Sequence, residues 1–371
     1  MSTSSANKNL NSSGTSDQLD ISDRKQSHLD ICHTDAASIQ SGIVSGFEGV
    51  HFIHDALPEL SMEDIDSSCE FLGQRVSLPL FISCMTGGSA QGMTANRKLA
   101  EAAEAKNIPV GLGSIRVLLE QENLFEHFHI KPYAPHVPIL ANIGAVQVRG
   151  DDNTKLYKLL EKLQAHALVI HLNPGQELFQ PGGDTDFRGL LGAIQQTVKT
   201  CPLPVIVKET GFGIRPHQIK TLLNMGVKYV DIAGAGGTNW VLVEAQRLNK
   251  NEEQLANEFT DWGLPTAYVL DSVGSMSGRV LASGGLKSGM DLMKSIALGS
   301  KMGGLAGIFI RDVLSGGVEA VIRRIEGIEK VIRSVMLLTS SKTLKDVTAD
   351  KIWRETSFIS NVEQIKKAEG M

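Results

Sequence analysis

The chain has 371 residues, of which 42% are apolar, and it carries a formal net charge of −5. Its length exceeds the roughly 250 residues of a typical eight-fold barrel, so a large buried core is available. A mildly acidic chain lacks the basic face of a nucleic-acid binder, and no apolar run approaches the ~18 residues of a membrane span. The cysteines form no C-x-x-C pair, which favours a reducing, cytoplasmic environment; they are Cys32, Cys69, Cys84 and Cys201.

The first 21 residues are rich in Ser and Asn and nearly free of large apolar side chains. Such a segment buries too little surface to offset its ordering entropy, so residues 1–21 are predicted to be disordered. Residues 22–371 are predicted to form one domain that begins with an arm, residues 22–30. In this arm Arg24, Lys25 and His28 form R-K-x-x-H. That spacing fits either a solvated charge cluster or a set of phosphate-binding cations.

From residue 80 onwards, short apolar runs that end in Gly, Ser or Asn alternate with segments of helical spacing. Runs of this kind are typical of parallel strands that are buried on both faces. Repeated strand–helix units predict an α/β fold, a closed TIM (β/α)8 barrel, with an open doubly wound sheet as the alternative. The predicted strands are Leu80–Met85, Val110–Ser114, Ile139–Gly144, Ala167–Asn173, Val205–Gly211, Tyr229–Gly234, Val280–Gly285 and Gly303–Gly307.

Two stretches exceed what a bare barrel needs. Residues 235–275 are too long for an ordinary βα loop, which predicts a long loop after strand 6 that serves as a lid or as a wall of the active site. Beyond Val318, the apolar spacing that starts at Val321 predicts the last barrel helix, followed by a polar extension.

Glycines follow the last two predicted strands, at the end of the barrel where reacting groups are found. Ser283–Gly285 precedes Lys287 and a helix, which predicts a cup of backbone N–H groups for a cofactor phosphate. Gly303, Gly304 and Gly307 are expected to complete that site. Tight turns that need a positive φ are the alternative interpretation.

Lys208 lies within an otherwise apolar strand, VIVKETG. A lysine in such a strand is costly to bury unless it has a partner. Glu209 is a poor candidate partner, because adjacent strand residues point to opposite faces. The pattern therefore predicts a cation at the barrel mouth.

A polar motif, H-x-N-x-x-Q-E, begins at the end of the fourth predicted strand and continues beyond it. It comprises His171, Asn173, Gln176 and Glu177. Glu177 has the hard oxygen atoms that Mg²⁺ prefers, and Gln176 is a candidate for proton relay. The same spacing also fits a polar loop with a satisfied histidine.

Together, eight motifs resemble those of the type 2 isopentenyl-diphosphate isomerases, in order from about residue 22 to residue 310. They are R-K-x-x-H at Arg24–His28, MTGGS at Met85–Ser89, GSIR at Gly113–Arg116, ANIGA at Ala141–Ala145, HLNPGQE at His171–Glu177, KETGFG at Lys208–Gly213, AGAGGTNW at Ala233–Trp240 and ASGGLKS at Ala282–Ser288.

The resemblance implies an isomerase that interconverts isopentenyl and dimethylallyl diphosphate in isoprenoid biosynthesis, by flavin-assisted protonation and deprotonation with reduced FMN. It also implies NADPH as the reductant, Mg²⁺ at Glu177, catalytic roles for Gln176, Lys208 and His171, and a homotetramer or homo-octamer. The implied diphosphate contacts are Arg24, Lys25, His28, Ser114, Arg116, His171, Asn173 and Gln176. The implied FMN contacts are Met85, Thr86, Gly87, Ser114, Asn142, Lys208, Thr238, Gly284, Gly285, Ala306 and Gly307.

Two positions depart from the family pattern: Ala233 stands where many relatives have Ser, and Lys287 where many have Arg. Lys287 keeps the charge but lacks the bidentate fork of Arg. The alternative function is an FMN-dependent oxidoreductase of the hydroxy-acid oxidase or dehydrogenase type on the same barrel. That activity needs a base, often His, and leaves the R-K-x-x-H motif unexplained.

Overall fold

The structure of the protein, a computed structural model, describes residues 14–34, 36–150 and 152–371. The disorder predicted for residues 1–13 lies outside the described residues. Residues 14–21, which were also expected to be disordered, belong instead to helix α1, Gly14–Thr34. The later half of α1 buries Leu29 and Cys32. A helix anchored at one end propagates at little cost per residue, so α1 extends into a stretch of unpromising composition.

The eight predicted strands form a closed parallel barrel, which confirms the fold class. Each strand pairs with its neighbours in chain order, and the last closes on the first. The strands are β1 Leu80–Ile82, β2 Val110–Ser114, β3 Ile139–Gly144, β4 Ala167–Leu172, β5 Val205–Glu209, β6 Tyr229–Asp231, β7 Val280–Ala282 and β8 Met302–Leu305.

α-Helices follow every barrel strand except β2, whose connection to β3 contains two 3₁₀ helices, Arg116–Leu119 and Glu122–His127. In the described part of the chain, no helix has the length and apolarity that crossing a bilayer requires. The helices after α1 are α2 Ala90–Lys106, α3 Thr154–Lys162, α4 Pro174–Phe179, α5 Leu190–Thr200, α6 Pro216–Asn224, α7 Trp240–Ala245, α8 Lys250–Asn257, α9 Thr266–Ser272, α10 Gly289–Ala297, α11 Gly307–Leu338 and α12 Thr356–Ala368.

The long loop predicted after strand 6, residues 235–275, contains the helices α7, α8 and α9. Asn239 and Asn249 explain why helices form here, because their side chains accept hydrogen bonds from the first backbone N–H groups of α7 and α8. α9 packs against α12 as an outer barrel helix, whereas α7 packs against α1, α4 and α8. The insertion therefore builds a helical wall beside the barrel mouth.

Helix α11 is broken near its start, because Gly317 has non-helical angles of φ 66° and ψ −154°. A short first segment thus precedes the long barrel helix. The polar extension beyond it is also folded: the strand Ile352–Arg354 pairs antiparallel with Val50–Phe52, and α12 follows.

The amino end of the barrel is closed by the hairpin Cys69–Phe71 and Gln74–Val76. Its Phe71 stacks on Tyr229 at the start of β6, with ring centroids 5.3 Å apart. Together with Phe81 and other inward-facing strand residues, Phe71 fills the barrel interior. Because the hairpin and these side chains fill the amino end of the barrel, a functional site can form only at the carboxyl end.

Candidate active site

A cavity of about 470 Å³ opens at the carboxyl ends of the barrel strands. Residues of α1, α4 and α7 complete its wall. Every residue to which the sequence assigned a catalytic, substrate, cofactor or metal contact lines this cavity, although their individual roles stay predictions. These residues are Arg24, Lys25, His28, Met85, Thr86, Gly87, Ser114, Arg116, Asn142, His171, Asn173, Gln176, Glu177, Lys208, Thr238, Gly284, Gly285, Ala306 and Gly307.

One end of the cavity is formed by Gly284, Gly285 and Gly307, and is termed the glycine end. Gly284 and Gly285 have φ angles of 84° and 80°, which side chains rarely adopt. A methyl group on Gly284 would lie 2.1 Å from the carbonyl oxygen of Gly234, and one on Gly285 would lie 2.7 Å from the carbonyl carbon of Gly236. Gly307 begins α11, where backbone N–H groups have no partner within the helix. This end therefore suits an anion.

Gly303 and Gly304 were expected to complete this end but lie within β8. A methyl group on Gly303 would lie 2.3 Å from Leu292 Cδ1, and one on Gly304 would lie 2.3 Å from the ring of Phe81. These two glycines are needed for packing between β8, the barrel interior and α10. The backbone N–H of Gly303 donates to the carbonyl oxygen of Pro79 at 2.9 Å, so it is not available to an anion, whereas Gly304 lines the cavity.

Lys208 and Asp231 are register partners on β5 and β6, and both are buried. The Nζ atom of Lys208 donates to the carbonyl oxygen of Glu209 at 2.5 Å. Asp231 Oδ1 accepts a hydrogen bond from Ser283 Oγ at 2.7 Å. Burial raises the pKa of Asp231, while the charge of Lys208 opposes that shift. The floor of the cavity thus contains a buried ammonium with a carboxylate on the next strand.

The carboxylate of Glu209 turns away from Lys208 and organises the loop after β5. Its Oε2 atom accepts hydrogen bonds from the backbone N–H groups of Thr210, Gly211 and Phe212 at 2.6, 2.6 and 2.5 Å. Burial raises the pKa of Glu209 to about 7, although these bonds oppose the shift. None of the ion pairs among the described residues joins the side chains of Glu209 and Lys208. Lys208, which lines the cavity, is therefore available to interact with a ligand there.

The ring of His171 lies deep in the cavity, and its Nδ1 atom is 3.0 Å from Asn142 Oδ1. Burial and the nearby charge of Lys208 lower the pKa of His171 to about 3. Because a carbonyl oxygen accepts, Nδ1 carries the proton and Nε2 is an acceptor. His171 is therefore a neutral hydrogen-bonding group at physiological pH.

A second part of the cavity lining, formed by Arg24, Lys25 and Arg116, is termed the cationic end. Lys25 Nζ donates to the carbonyl oxygen of Ser114 at 3.2 Å and lies 5.1 Å from the centroid of the Phe128 ring. Burial, then the charges of Arg24 and Arg116, lower the pKa of Lys25 to about 7. Burial also lowers the pKa of Arg24. A bound polyanion would relieve this repulsion.

At another part of the cavity lining, the amide of Gln176 is held on both sides. Its Nε2 atom donates to Glu244 Oε1 at 2.9 Å, and its Oε1 atom accepts from Asn173 Nδ2 at 3.2 Å. His28 Nε2 lies 3.0 Å from the same Glu244 oxygen. Arg247 Nη1 pairs with the other oxygen at 2.9 Å. The orientation of the amide is therefore fixed.

Glu244 is the main residue of this network that the sequence reasoning missed. Its side chain is 0% exposed. Burial alone would raise the pKa of Glu244, but the bonds from His28 and Gln176 keep it below its usual value. A signal was present: Glu244 is an acidic residue within the otherwise apolar α7, WVLVEA, four residues after Trp240. Buried carboxylates are rare unless they are paired.

Glu177 is held in place by three donors. Its carboxylate accepts from Asn173 Nδ2 at 3.0 Å, from Gln180 Nε2 at 3.3 Å and from the backbone N–H of Asp184 at 2.9 Å. A carboxylate has about four acceptor sites, so roughly one is left on Oε1. The described residues contain no cluster of three His, Cys, Asp or Glu that could hold a metal ion. A metal ion at Glu177 would therefore need ligands from a bound anion or from water.

Two buried hydroxyl groups at the cavity, those of Thr86 and Thr210, have no hydrogen-bond partner within the described structure. Polar groups that are buried without partners are rare in native proteins. Both hydroxyls lie on the cavity that also exposes Lys208 and the glycine end. This arrangement fits a planar cofactor with polar ring edges and a phosphate, such as FMN.

A parallel barrel with an anion site after its last two strands and a buried lysine on its floor is the arrangement of an FMN-dependent (β/α)8 enzyme. The sequence agrees, since the FMN-dependent dehydrogenase family matches residues 22–124 and 186–354.

More specific similarity comes from curated relatives named isopentenyl-diphosphate delta-isomerase. The protein of Rickettsia canadensis is 43% identical over 338 residues, which cover 90% of this chain and 98% of that protein. The protein of Borreliella afzelii is 37% identical over 354 residues, which cover 94% and 98%. The chain belongs to the isopentenyl-diphosphate delta-isomerase family.

Solved structures agree on the fold. The flavin-binding domain of baker's yeast flavocytochrome b2 is 16% identical, with a TM-score of 0.65 over 93% of this chain and 92% of that chain. A mandelate oxidase is 15% identical, with a TM-score of 0.59 over 88% and 95%. At this level of identity the likeness extends to the barrel alone.

Proposed function

We propose that the protein interconverts isopentenyl diphosphate and dimethylallyl diphosphate, with reduced FMN in the same cavity. The observation that carries this proposal is that one cavity joins two different anion sites, the glycine end and the cationic end. The first suits the single phosphate of a flavin nucleotide, and the second suits a diphosphate. The names of the curated relatives support the same activity.

FMN would be held by the residues of the glycine end, by strand-end polar groups and by Lys208. When bound, reduced FMN supplies an electron-rich ring that can give a proton to the alkene and take one from the adjacent carbon. Lys208 stabilises negative charge at the ring edge. The unpaired hydroxyl of Thr86 is a further donor or acceptor for the ring.

The diphosphate of the substrate would bind at the cationic end. Arg24, Lys25 and Arg116 converge from α1 and from the segment after β2, so substrate binding ties α1 to the barrel. Because the hydrocarbon part is short and apolar, the diphosphate contacts provide most of the binding energy and fix the alkene in place.

Gln176 and Glu244 would control the proton that moves during the reaction. Protonation of an alkene builds positive charge on the substrate, and the buried carboxylate of Glu244 stabilises positive charge nearby. Glu244 also holds Gln176 Nε2, so the amide keeps one orientation while the proton is transferred. His171, which is neutral, contributes a hydrogen bond and no charge.

Mg²⁺ and NADPH belong to the same proposal. Glu177 Oε1 has room for about one metal bond, so Mg²⁺ would arrive with the diphosphate, direct or water-mediated, and neutralise part of its charge. NADPH would serve as reductant for the flavin and would not be consumed in each turnover. The expected homotetramer or homo-octamer is a further prediction that light scattering can test.

A hydroxy-acid oxidoreductase is the second candidate, supported by the family match to FMN-dependent dehydrogenases. Substrate oxidation needs a base that is free to accept a proton near neutral pH. His171, with a pKa of about 3, binds protons weakly, and His28 is engaged by Glu244. The isomerase accounts for the cationic end, whereas the oxidoreductase does not.

The deciding experiment is anaerobic turnover of isopentenyl diphosphate by the FMN-loaded protein, with product followed by NMR and NADPH by absorbance. We expect dimethylallyl diphosphate to form only after the flavin is bleached, with much less than one NADPH used per product. Oxidation of one NADPH per turnover would favour the oxidoreductase. A protein that does not bind FMN would refute the proposal.

A further inference from the structure

Arg311 lines the cavity but belongs to none of the sequence motifs. It is the fifth residue of α11 and lies beside Gly307, where this helix begins. Helix side chains lean towards the amino end, so the guanidinium returns towards the glycine end. A methyl group on Gly307 would lie 3.4 Å from Arg311 Nη1 and 3.9 Å from Thr238 Oγ1. The cation and the hydroxyl therefore border the same small space.

The charge of Arg311 has no counter-ion in the described part of the chain. None of the ion pairs there involves its guanidinium, and the neighbouring carboxylate of Asp312 is committed to Arg324, with an Nε–Oδ2 distance of 2.8 Å. Arg311 is only partly exposed. A partly buried guanidinium without an anion is unfavourable, so the geometry points to an anionic ligand.

The other candidate cation at this end, Lys287, is placed less well. Its side chain is exposed, and its backbone N–H donates a hydrogen bond to Asp291 Oδ2 at 2.9 Å. Lysine is also a point charge, whereas arginine offers a planar fork that matches two phosphate oxygens. Arg311 thus supplies the bidentate donor that is missing at position 287.

The break in α11 supports the same assignment. Gly317 separates a short first segment from the long barrel helix. In (β/α)8 barrels, a short extra helix after strand 8 often directs its amino end at a phosphate. Gly307 is at the start of that segment, and Arg311 is one turn further along the same segment.

We propose that Arg311 is the cation that binds the 5′-phosphate of FMN, together with the backbone N–H groups of the glycine end and the hydroxyl of Thr238. This inference rests on the proposed binding of FMN. It assigns to Arg311 the discrimination between FMN and riboflavin, which carries the same ring without the phosphate.

The test is to measure dissociation constants of the full-length apoprotein for FMN and for riboflavin, by quenching of flavin fluorescence. Arg311→Ala should weaken FMN binding by about 10- to 100-fold, the value of a charge-assisted bidentate contact. Riboflavin binding should change less than about twofold, since the interaction with phosphate is absent. Arg311→Lys should recover part of the loss, and Lys287→Ala, the matched control, should have the smaller effect.

Equal weakening of FMN and riboflavin, or no weakening of either, would overturn the role of Arg311. Arg311→Gln keeps the length of the side chain without its charge, and it should behave as Arg311→Ala does; thermal unfolding checks that each variant is folded. A wild-type protein that binds neither flavin would contradict the proposed function itself. A wild type that binds FMN normally, with variants that do so as well, would contradict only the inference on Arg311.

Discussion

The two ends of the cavity offer different groups to an anion. The glycine end follows β7 and β8, adjacent strands that the barrel hydrogen bonds hold in register, and it offers backbone N–H groups. The cationic end brings two side chains from α1 together with Arg116 from the segment after β2. Backbone groups carry no net charge and do not titrate. The side chains at the cationic end repel one another, and burial makes their charges costly.

This difference separates the effects that substitutions should have. A change at one of the glycines of the glycine end acts through sterics, because an added atom occupies the space of the phosphate or of the backbone. A change at the cationic end acts through charge and therefore depends on pH. Cofactor affinity and substrate affinity should thus respond to different variants, while Gln176, which belongs to neither end, should mainly affect turnover.

Gln176→Ala tests the amide assigned to proton transfer and should have the largest effect. A positioned proton-transfer group contributes about 10²- to 10⁴-fold, so kcat should fall by at least about 100-fold. FMN affinity should be nearly unchanged, because the amide contacts Glu244 and Asn173 rather than the glycine end. The measurement is initial rate with saturating FMN, alongside FMN titration.

Gln196→Ala is the matched control, because Gln196 is an exposed residue of α5 outside the cavity. It should leave both quantities unchanged. If Gln176→Ala lowered FMN affinity as much as turnover, Gln176 would be a structural residue of the cofactor site and its assignment to proton transfer would be wrong.

Gly285→Ala tests the steric nature of the glycine end. The new methyl group would lie 2.7 Å from Gly236 C and 2.7 Å from Ser45 Cβ, so the backbone must shift. Such overpacking costs about 1–3 kcal/mol or more, and we expect FMN affinity to fall about 10- to 100-fold. Flavin fluorescence and thermal unfolding measure the two effects.

Gly182→Ala is the control that separates backbone strain at a positive φ from the steric clash expected in Gly285→Ala. Gly182 also has a positive φ, 70°, but a methyl group there meets nothing within 4 Å. This variant should lose only the roughly 1–2 kcal/mol of a left-handed conformation and should keep its FMN affinity. Equal FMN loss in both variants would show that backbone strain, not the crowded phosphate site, limits Gly285.

The sequence predicted the barrel well because a parallel strand leaves a local signal, an apolar run that ends in a polar group. Residues 14–21 and 235–275 contain more helix than their composition suggests, for different reasons. Residues 14–21 are helical because α1 is anchored further along, at Leu29 and Cys32. In residues 235–275, α7 and α8 are only 6 and 8 residues long, so neither shows a clear helical spacing of apolar residues. Their Asn N-caps are weak sequence signals within a long polar stretch.

The candidate site was predictable where residues follow strands, since the barrel brings strand ends together. Glu244 and Arg311 do not follow strands directly. They lie within helices: Arg311 lines the cavity, whereas Glu244 lies behind the lining residue Gln176, and both positions depend on how α7 and α11 pack. Gly303 and Gly304 were expected to bind phosphate, but they lie within β8 and permit close packing there. Glycines that permit packing and glycines that bind phosphate are indistinguishable in sequence.

Lys25→Ala tests the cationic end and should raise the substrate KM about tenfold or more, the value of a charge-assisted contact of roughly 1.5–3 kcal/mol. Because the pKa of Lys25 is lowered to about 7 in the folded protein, much of it is neutral above pH 8 and must take up a proton to bind the diphosphate. Substrate affinity of the wild type should therefore fall as pH rises from 7.5 to 9, by at most about tenfold per pH unit.

In Lys25→Ala the slope between pH 7.5 and 9 should disappear, while FMN affinity stays as in the wild type at each pH. Lys158→Ala, at an exposed position of α3, is the control and should keep the slope. A slope that persists in Lys25→Ala would assign the pH dependence to another group.

His171→Gln should have the smallest effect, and its pH profile distinguishes the two candidate functions. With burial lowering its pKa to about 3, His171 of the folded protein stays neutral between pH 5.5 and 8, so it adds no inflection to kcat in that window. The variant loses one neutral hydrogen bond, worth about 0.5–1.5 kcal/mol, so kcat should drop about tenfold at most with an unchanged profile. An inflection between pH 6 and 7 that is present in the wild type and absent in His171→Gln would mean that the ring titrates during turnover. A histidine base of the oxidoreductase type would then operate here, and the neutral ring deduced from its burial and from its bond to Asn142 would be wrong.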